Sequence, residues 1–183
     1  MDLYKKAIAT GFSALLLSLA APCISGERTV DGADIEYTFL KECKDIVNNA
    51  DAAYGEFVCG DVAGYQVKVS EQNPIYFNVL LLKDNKKISS DFAVVTNDNP
   101  VEPGHAIEWH LYDNKPKFMI FRLSWGTKDK PFEMKQYLVV NLVTENRICV
   151  IDKVVVDEVN DANEVARELI AEKYRGILAC PDI

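Results

Sequence analysis

Apolar and polar residues alternate in short runs along most of the chain. Ile35 to Leu40, Tyr65 to Val69, Ile75 to Leu82, Ala93 to Thr96, Ile107 to Tyr112, Phe118 to Trp125, Gln136 to Val143 and Arg147 to Val156 have the period and the branched or aromatic content of half-buried strands. Turn chemistry separates them: Asp84-Asn85, Asn97-Asp98-Asn99-Pro100, Pro103-Gly104, Asp113-Asn114 and Glu145-Asn146. Because the last two links are short, the second half predicts an antiparallel meander. A different period follows. Ala162, Val165, Ala166, Leu169, Ile170, Tyr174 and Ile177 recur at three- and four-residue spacing and predict an amphipathic helix over 161–178. Asp161 suits its N-cap, with Glu164 three positions on, and Gly176 weakens the final turn. Glu164, Arg167, Glu168, Glu172 and Arg175 read as its solvated face. A short helix is also expected from Glu42 to Ala50, with Ile46 and Val47 as its apolar residues. No repeat or linker divides residues 27–183, so one α+β domain is expected: a mainly antiparallel sheet covered by a C-terminal helix.

The first 26 residues have another pattern. Lys5 and Lys6 precede an uncharged run from Ala7 to Gly26 centred on Leu15, Leu16, Leu17 and Leu19, the layout of a secretory signal peptide. The dense apolar part is short against the roughly 20 residues that cross a bilayer, and Pro22 and Gly26 break its exit end, so a membrane span in the mature chain is not expected. Small residues suit cleavage at Ser18-Leu19-Ala20 or at Cys23-Ile24-Ser25. As an alternative, Leu19-Ala20-Ala21-Pro22 before Cys23 vaguely resembles a lipoprotein cleavage box, which would anchor the protein through Cys23; Pro22 departs from that box.

Charge narrows the partners. Among 183 residues, 28 acidic side chains outweigh 20 basic ones, giving a net charge of −8 that becomes −9 once Asp2, Lys5 and Lys6 leave with the leader. Such a surface does not suit nucleic acid, whose affinity comes from clustered Lys and Arg releasing counterions. In an exported protein, which is periplasmic or secreted, cysteines read as disulfides. Of the five, loss of Cys23 leaves Cys43, Cys59, Cys149 and Cys180, for which three connectivities exist. The local pairing, Cys43 with Cys59 and Cys149 with Cys180, is expected because each bridge closes a short loop. A loop of about 15 residues contributes on the order of 3 kcal/mol in the chain-entropy model.

Motifs for hydrolysis, nucleotide binding, zinc and calcium are absent: the chain has no G-x-S-x-G, P-loop, H-E-x-x-H, C-x2-C or EF-hand pattern. Gly60 to Gly64 reads as a tight turn beside Cys59, and the oxygen-rich run from Asp157 to Glu164 as a helix start. One cluster could carry chemistry. His105, Glu108 and His110 combine imidazole and carboxylate, which suits a metal or acid–base work, and Glu108 and His110 share one side of a strand. Alternation explains the same residues more simply, with Ile107, Trp109 and Leu111 in the core and Glu108, His110 and Tyr112 facing water. Tyr54, Tyr65, Tyr76, Tyr112, Trp125 and Tyr137 are the remaining candidates for a binding face or for cross-strand pairs.

Cys59-Gly60-Asp61-Val62-Ala63-Gly64-Tyr65-Gln66-Val67, with Glu108-Trp109 and Asn163 to Leu169 ending in Cys180, resembles small exported proteobacterial proteins of uncharacterised function. The resemblance implies export and disulfides and carries no catalytic residues. By size, acidity and paired cysteines the chain is also similar to exported lysozyme inhibitors, without their loop motifs. The expectation is a non-enzymatic exported protein, without a cofactor, that binds a basic macromolecular partner such as an envelope protein or hydrolase. The alternatives are a metal-binding protein or enzyme centred on His105, Glu108 and His110, and a lipid-anchored protein.

Overall fold

The structure, a computed structural model, describes residues 32–49, 54–72, 76–90, 92, 96, 99–127 and 129–181. The expected leader with Cys23, and most of the strand expected from Ala93 to Thr96, lie outside the described residues. Among the described residues the chain forms one ten-stranded sheet. Its strands are β1 (Asp34–Phe39), β2 (Lys44–Asn49), β3 (Tyr54–Val62), β4 (Tyr65–Gln72), β5 (Tyr76–Lys83), β6 (Lys86–Ser90), β7 (Val101–Tyr112), β8 (Lys115–Thr127), β9 (Lys130–Val143) and β10 (Arg147–Val155).

Hairpins dominate because the links have the right turn residues. Ala63-Gly64, Asp84-Asn85 and Asp113-Asn114 all adopt φ between 47° and 76°, the left-handed pair that matches the twist of antiparallel strands. The order across the sheet is β1-β7-β8-β9-β10-β6-β5-β4-β3-β2. Every neighbouring pair is antiparallel except β10 with β6, a short parallel junction of Arg147 with Ser89 and Ile148 with Ser90. The expected meander is therefore β7 to β10, fused by that junction to a second antiparallel run. β1 and β2 follow one another through the short 3-10 turn Leu40–Glu42 yet occupy opposite ends of the order. So short a link requires the sheet to bend round on itself, and it forms a curled half-barrel. The Cys43–Cys59 disulfide ties that turn to β3, and Cys149–Cys180 ties the C-terminal tail to β10.

Where a helix is expected from Glu42 to Ala50, Lys44–Asn49 is instead the edge strand β2, paired to β3, and Ala50 lies outside the described residues. Two adjacent β-branched residues, Ile46 and Val47, favour that extended state, and the Cys43 bridge places the segment beside β3. Strands β3 and β6 were not expected from the alternation at all.

A simple covered sheet also gives way to two cores. The inner core lies in the curl and includes Val67, Phe77, Leu81, Trp109, Met119, Phe121 and Val139. Phe92, between β6 and β7, fills its centre against Phe77 and Phe121, with ring centroids 6.4 and 6.1 Å away. An outer core forms where the helix α1 (Ala162–Glu168) sets Ala162 and Ala166 against Phe118, Ile120, Leu138, Val140 and Leu142. Alternate residues of β8 and β9 thus enter different cores, and both faces are buried. The helix is shorter than expected: α1 continues as a π-type turn, Leu169–Tyr174, and the chain then leaves it toward Cys180. Asp161 does cap it, accepting from the Glu164 N–H at 3.0 Å.

Candidate functional site

Register brings the site together. Strand β1 pairs with β7 so that Tyr37 lies opposite Glu108 and Ile35 opposite His110, all on the outer face. The expectation that Glu108 and His110 face water fails there: Glu108 is 8% exposed and His110 1%. The reason is α1, which covers this part of the sheet and delivers Arg167 onto it. Arg167 Nε donates to Glu108 Oε1 at 2.9 Å and Nη2 donates to Oε2 at 2.7 Å, a bidentate fork. Tyr37 Oη donates to Oε2 at 3.1 Å, and Arg167 Nη2 also donates to the Tyr37 hydroxyl oxygen at 3.0 Å. His110 Nε2 lies 2.8 Å from Glu108 Oε1.

Burial alone would raise the Glu108 pKa, but the Arg167 and His110 hydrogen bonds and charges outweigh it and hold the carboxyl at about 2. An ionised carboxylate only accepts, so His110 Nε2 carries the shared hydrogen. Its other nitrogen, Nδ1, is buried and without a partner among the described residues. At neutral pH Glu108 therefore has no proton to give, and both its oxygens are already engaged. A metal ion would have to displace Arg167 to reach it. His105 is exposed, on the rim of a neighbouring cleft that Glu108 also lines. Among the described residues no group of three His, Cys, Asp or Glu side chains is arranged to hold a metal.

That cleft, of about 230 Å³, is the part of the outer face that α1 leaves open. Ala106, Ile120 and Leu138 form its apolar floor, and Tyr37, His105, Arg122 and Asn163 its rim, with Glu108 at one end. Arg122 is steadied by Nη1 donating to Gln136 Oε1 at 3.0 Å. Beyond Tyr37, Phe39 continues the same face of β1; the two rings stack with centroids 6.2 Å apart and are 42% and 41% exposed. In the sheet order β1 is terminal, so its far edge has no strand partner among the described residues.

Sequence reasoning singled out Glu108 and His110 but missed Tyr37, Phe39 and Arg167. Arg167 reads as a solvated charge, although it adjoins Ala166 on the rim of the apolar stripe, where a long side chain can reach the sheet. Among the other aromatics, Trp125 and Tyr137 stack at 3.8 Å in the inner core, and Tyr112 packs edge-on to Phe118. No helix among the described residues is long and apolar enough to cross a membrane, and the two disulfides are consistent with an exported or otherwise oxidising compartment. No protein-family model, curated protein or solved structure matches the chain.

Proposed function

We propose that the protein is an exported, non-enzymatic binding protein that engages a basic protein partner through the Tyr37–Phe39 face of β1 and the adjoining cleft. The observation that carries this reading is the exposed aromatic stack on a sheet edge. Large rings held rigidly at the surface, next to a small apolar hollow with a polar rim, have the make-up of an interface anchor. An edge strand also offers unpaired backbone groups to a partner. Asp34 and Glu36 alternate with Tyr37 and so stand on the other side of β1, and Arg122 is on the cleft rim, so the attraction to a basic partner rests on the −9 of the mature chain as a whole. Acidic potential of this kind speeds encounter with a basic partner and weakens as salt screens it. Export is supported by the leader pattern and by the disulfides. The Arg167–Glu108–His110 network is on this reading the support that fixes Tyr37, rather than a reaction centre.

Pull-down from envelope extract with the mature chain, at roughly 50 and 500 mM salt, is the test. A basic protein should be captured at low salt and largely released at high salt. Phe39→Ser, which removes the ring stacked on Tyr37 and leaves Glu108, His110 and Arg167 in place, should weaken capture at least about tenfold. Capture of nothing at either salt, or capture that Phe39→Ser leaves unchanged, would sink the reading.

A further inference from the structure

The outer face of β3, β4 and β5 is a second, chemically different surface. Register places Tyr54 opposite Gln72 and Gln72 opposite Tyr76, so three side chains form one row across three strands. Two residues along, Glu56, Ser70 and Asn78 form the next row on the same face. Their opposite-facing neighbours Val69, Phe77 and Val79 belong to the inner core, which fixes both rows outward. Between them lies a cleft of about 260 Å³ lined by Tyr54, Ser70, Glu71, Gln72, Tyr76 and Asn78. Tyr76 is 44% exposed, and Tyr54 is oriented by donating its hydroxyl hydrogen to Glu56.

We infer that this cleft is a saccharide-binding site in which Tyr54 and Tyr76 present ring faces to sugar rings while Gln72, Ser70 and Asn78 hydrogen-bond their hydroxyls. Each part of the assignment follows from side-chain chemistry. A pyranose has an apolar C–H face and a rim of hydroxyls that both donate and accept. Tyrosine is a rigid apolar plate with a polar tip, and amide and hydroxyl side chains both donate and accept. Two strand spacings put the tyrosines roughly 9.6 Å apart across the sheet, about the length of a disaccharide unit in an extended β-1,4-linked chain. The described lining has no cationic side chain, and the carboxylate of Glu56 stands on the same outward face, which argues against phosphate, lipid headgroups or any other anion. Neither Tyr37 nor Phe39 takes part, so the inference stands apart from the partner face on β1.

Saturation-transfer NMR on the mature chain, with chitotetraose and cellotetraose as probes, tests it. Transfer to ring C–H protons is expected, with a dissociation constant at or below about 1 mM for at least one probe. Tyr76→Ala should weaken that binding about tenfold and Tyr76→Phe no more than about threefold, because the second keeps the plate. Gln72→Ala should also weaken it. Tyr76 is half exposed, so its variants keep the fold, which circular dichroism checks. Absence of transfer from both probes at about 10 mM, or binding that Tyr76→Ala leaves unchanged, would overturn the assignment.

Discussion

Glu108 is the charged group whose surroundings matter most. Burial opposes its ionisation, yet the fork from Arg167 and the His110 contact hold its pKa near 2, below the ordinary 4.5. A folded value below the unfolded one stabilises the protein above about pH 4.5, and that stability is lost as pH falls toward 2. The shift corresponds to on the order of 3 kcal/mol, reduced toward about 2 because Arg167 remains 32% exposed and its charge is partly screened. Arg167→Met should therefore lower stability at pH 7 by about 2–3 kcal/mol, since it leaves a buried carboxylate with only Tyr37 and His110. Urea unfolding measured from pH 7 to pH 3 checks this: the difference between wild type and variant should shrink as the pH falls. Adding Glu108→Gln to Arg167→Met should restore part of the loss, and equal midpoints for Arg167→Met and wild type at pH 7 would contradict the argument. At this scale Glu108 and His110 were legible as an unusual pair, but their environment was not. The deciding residue, Arg167, is 59 positions away in sequence, and no local pattern distinguishes a cation that reaches a sheet from one that points into water.

β7 and β8 were the readable hairpin, because Asp113-Asn114 between two alternating runs specifies it locally, whereas β6, behind the equivalent Asp84-Asn85 turn, has only Ile88 as an apolar residue and shows no alternation. β2 was not readable: six residues with two adjacent apolar positions fit a helical turn as well as a strand, and pairing with β3 decides the matter. The α1 segment lies between these cases, since its apolar stripe and cap are local but its early end is not. Gly176 and the bridge to β10 draw the tail away from the helical path. Besides the bridge, the tail is held by Ile177 packed at the edge of the outer core, by Lys117 Nζ donating to the Arg175 carbonyl at 2.8 Å and by a long contact from Arg147 Nη2 to the Pro181 carbonyl at 3.5 Å, while Leu178 is 83% exposed. The disulfide spans 31 positions, and closing a loop of that length contributes about 3–4 kcal/mol in the chain-entropy model. Replacing Cys149 and Cys180 together by Ala should lower stability by about 2–4 kcal/mol, and hydrogen exchange should accelerate first in residues 175–181. Protection in β4 and β5, on the far run of the sheet, should persist under native conditions. A loss of protection spread evenly over β4 and β5 would show that the bridge acts on the whole fold rather than on its tail.

Two cores share one sheet, and this explains why alternation stops being a guide in the middle of the molecule. Phe118 and Ile120 face the outer core while Met119 and Phe121 face the inner one, so Phe118 to Phe121 is an unbroken apolar run. Such runs signal burial on both faces, but not what covers each face. The order β1-β7 and the β10-β6 junction are equally hidden, since both join segments distant in sequence. The layered arrangement makes the cores separable by experiment because both tryptophans, Trp109 at 0% and Trp125 at 4% exposure, belong to the inner one. Ala166 is fully buried in the outer core under α1. Ala166→Arg leaves no space for the new side chain and buries a charge, an effect of about 3 kcal/mol or more that undocks the helix. The outward side chains of Phe118, Ile120, Leu138, Val140 and Leu142 then meet solvent as one apolar patch, which binds hydrophobic dyes. Expected is strong dye fluorescence from Ala166→Arg in the absence of denaturant, with tryptophan emission at the wild-type wavelength. Phe121→Ala, by contrast, leaves a cavity in the inner core at about 3–5 kcal/mol, and should bring the red shift of tryptophan emission to lower urea. If Ala166→Arg moves the tryptophan emission together with the dye signal, the cores unfold as one cooperative unit and the helix is integral to the half-barrel rather than a cover laid on it.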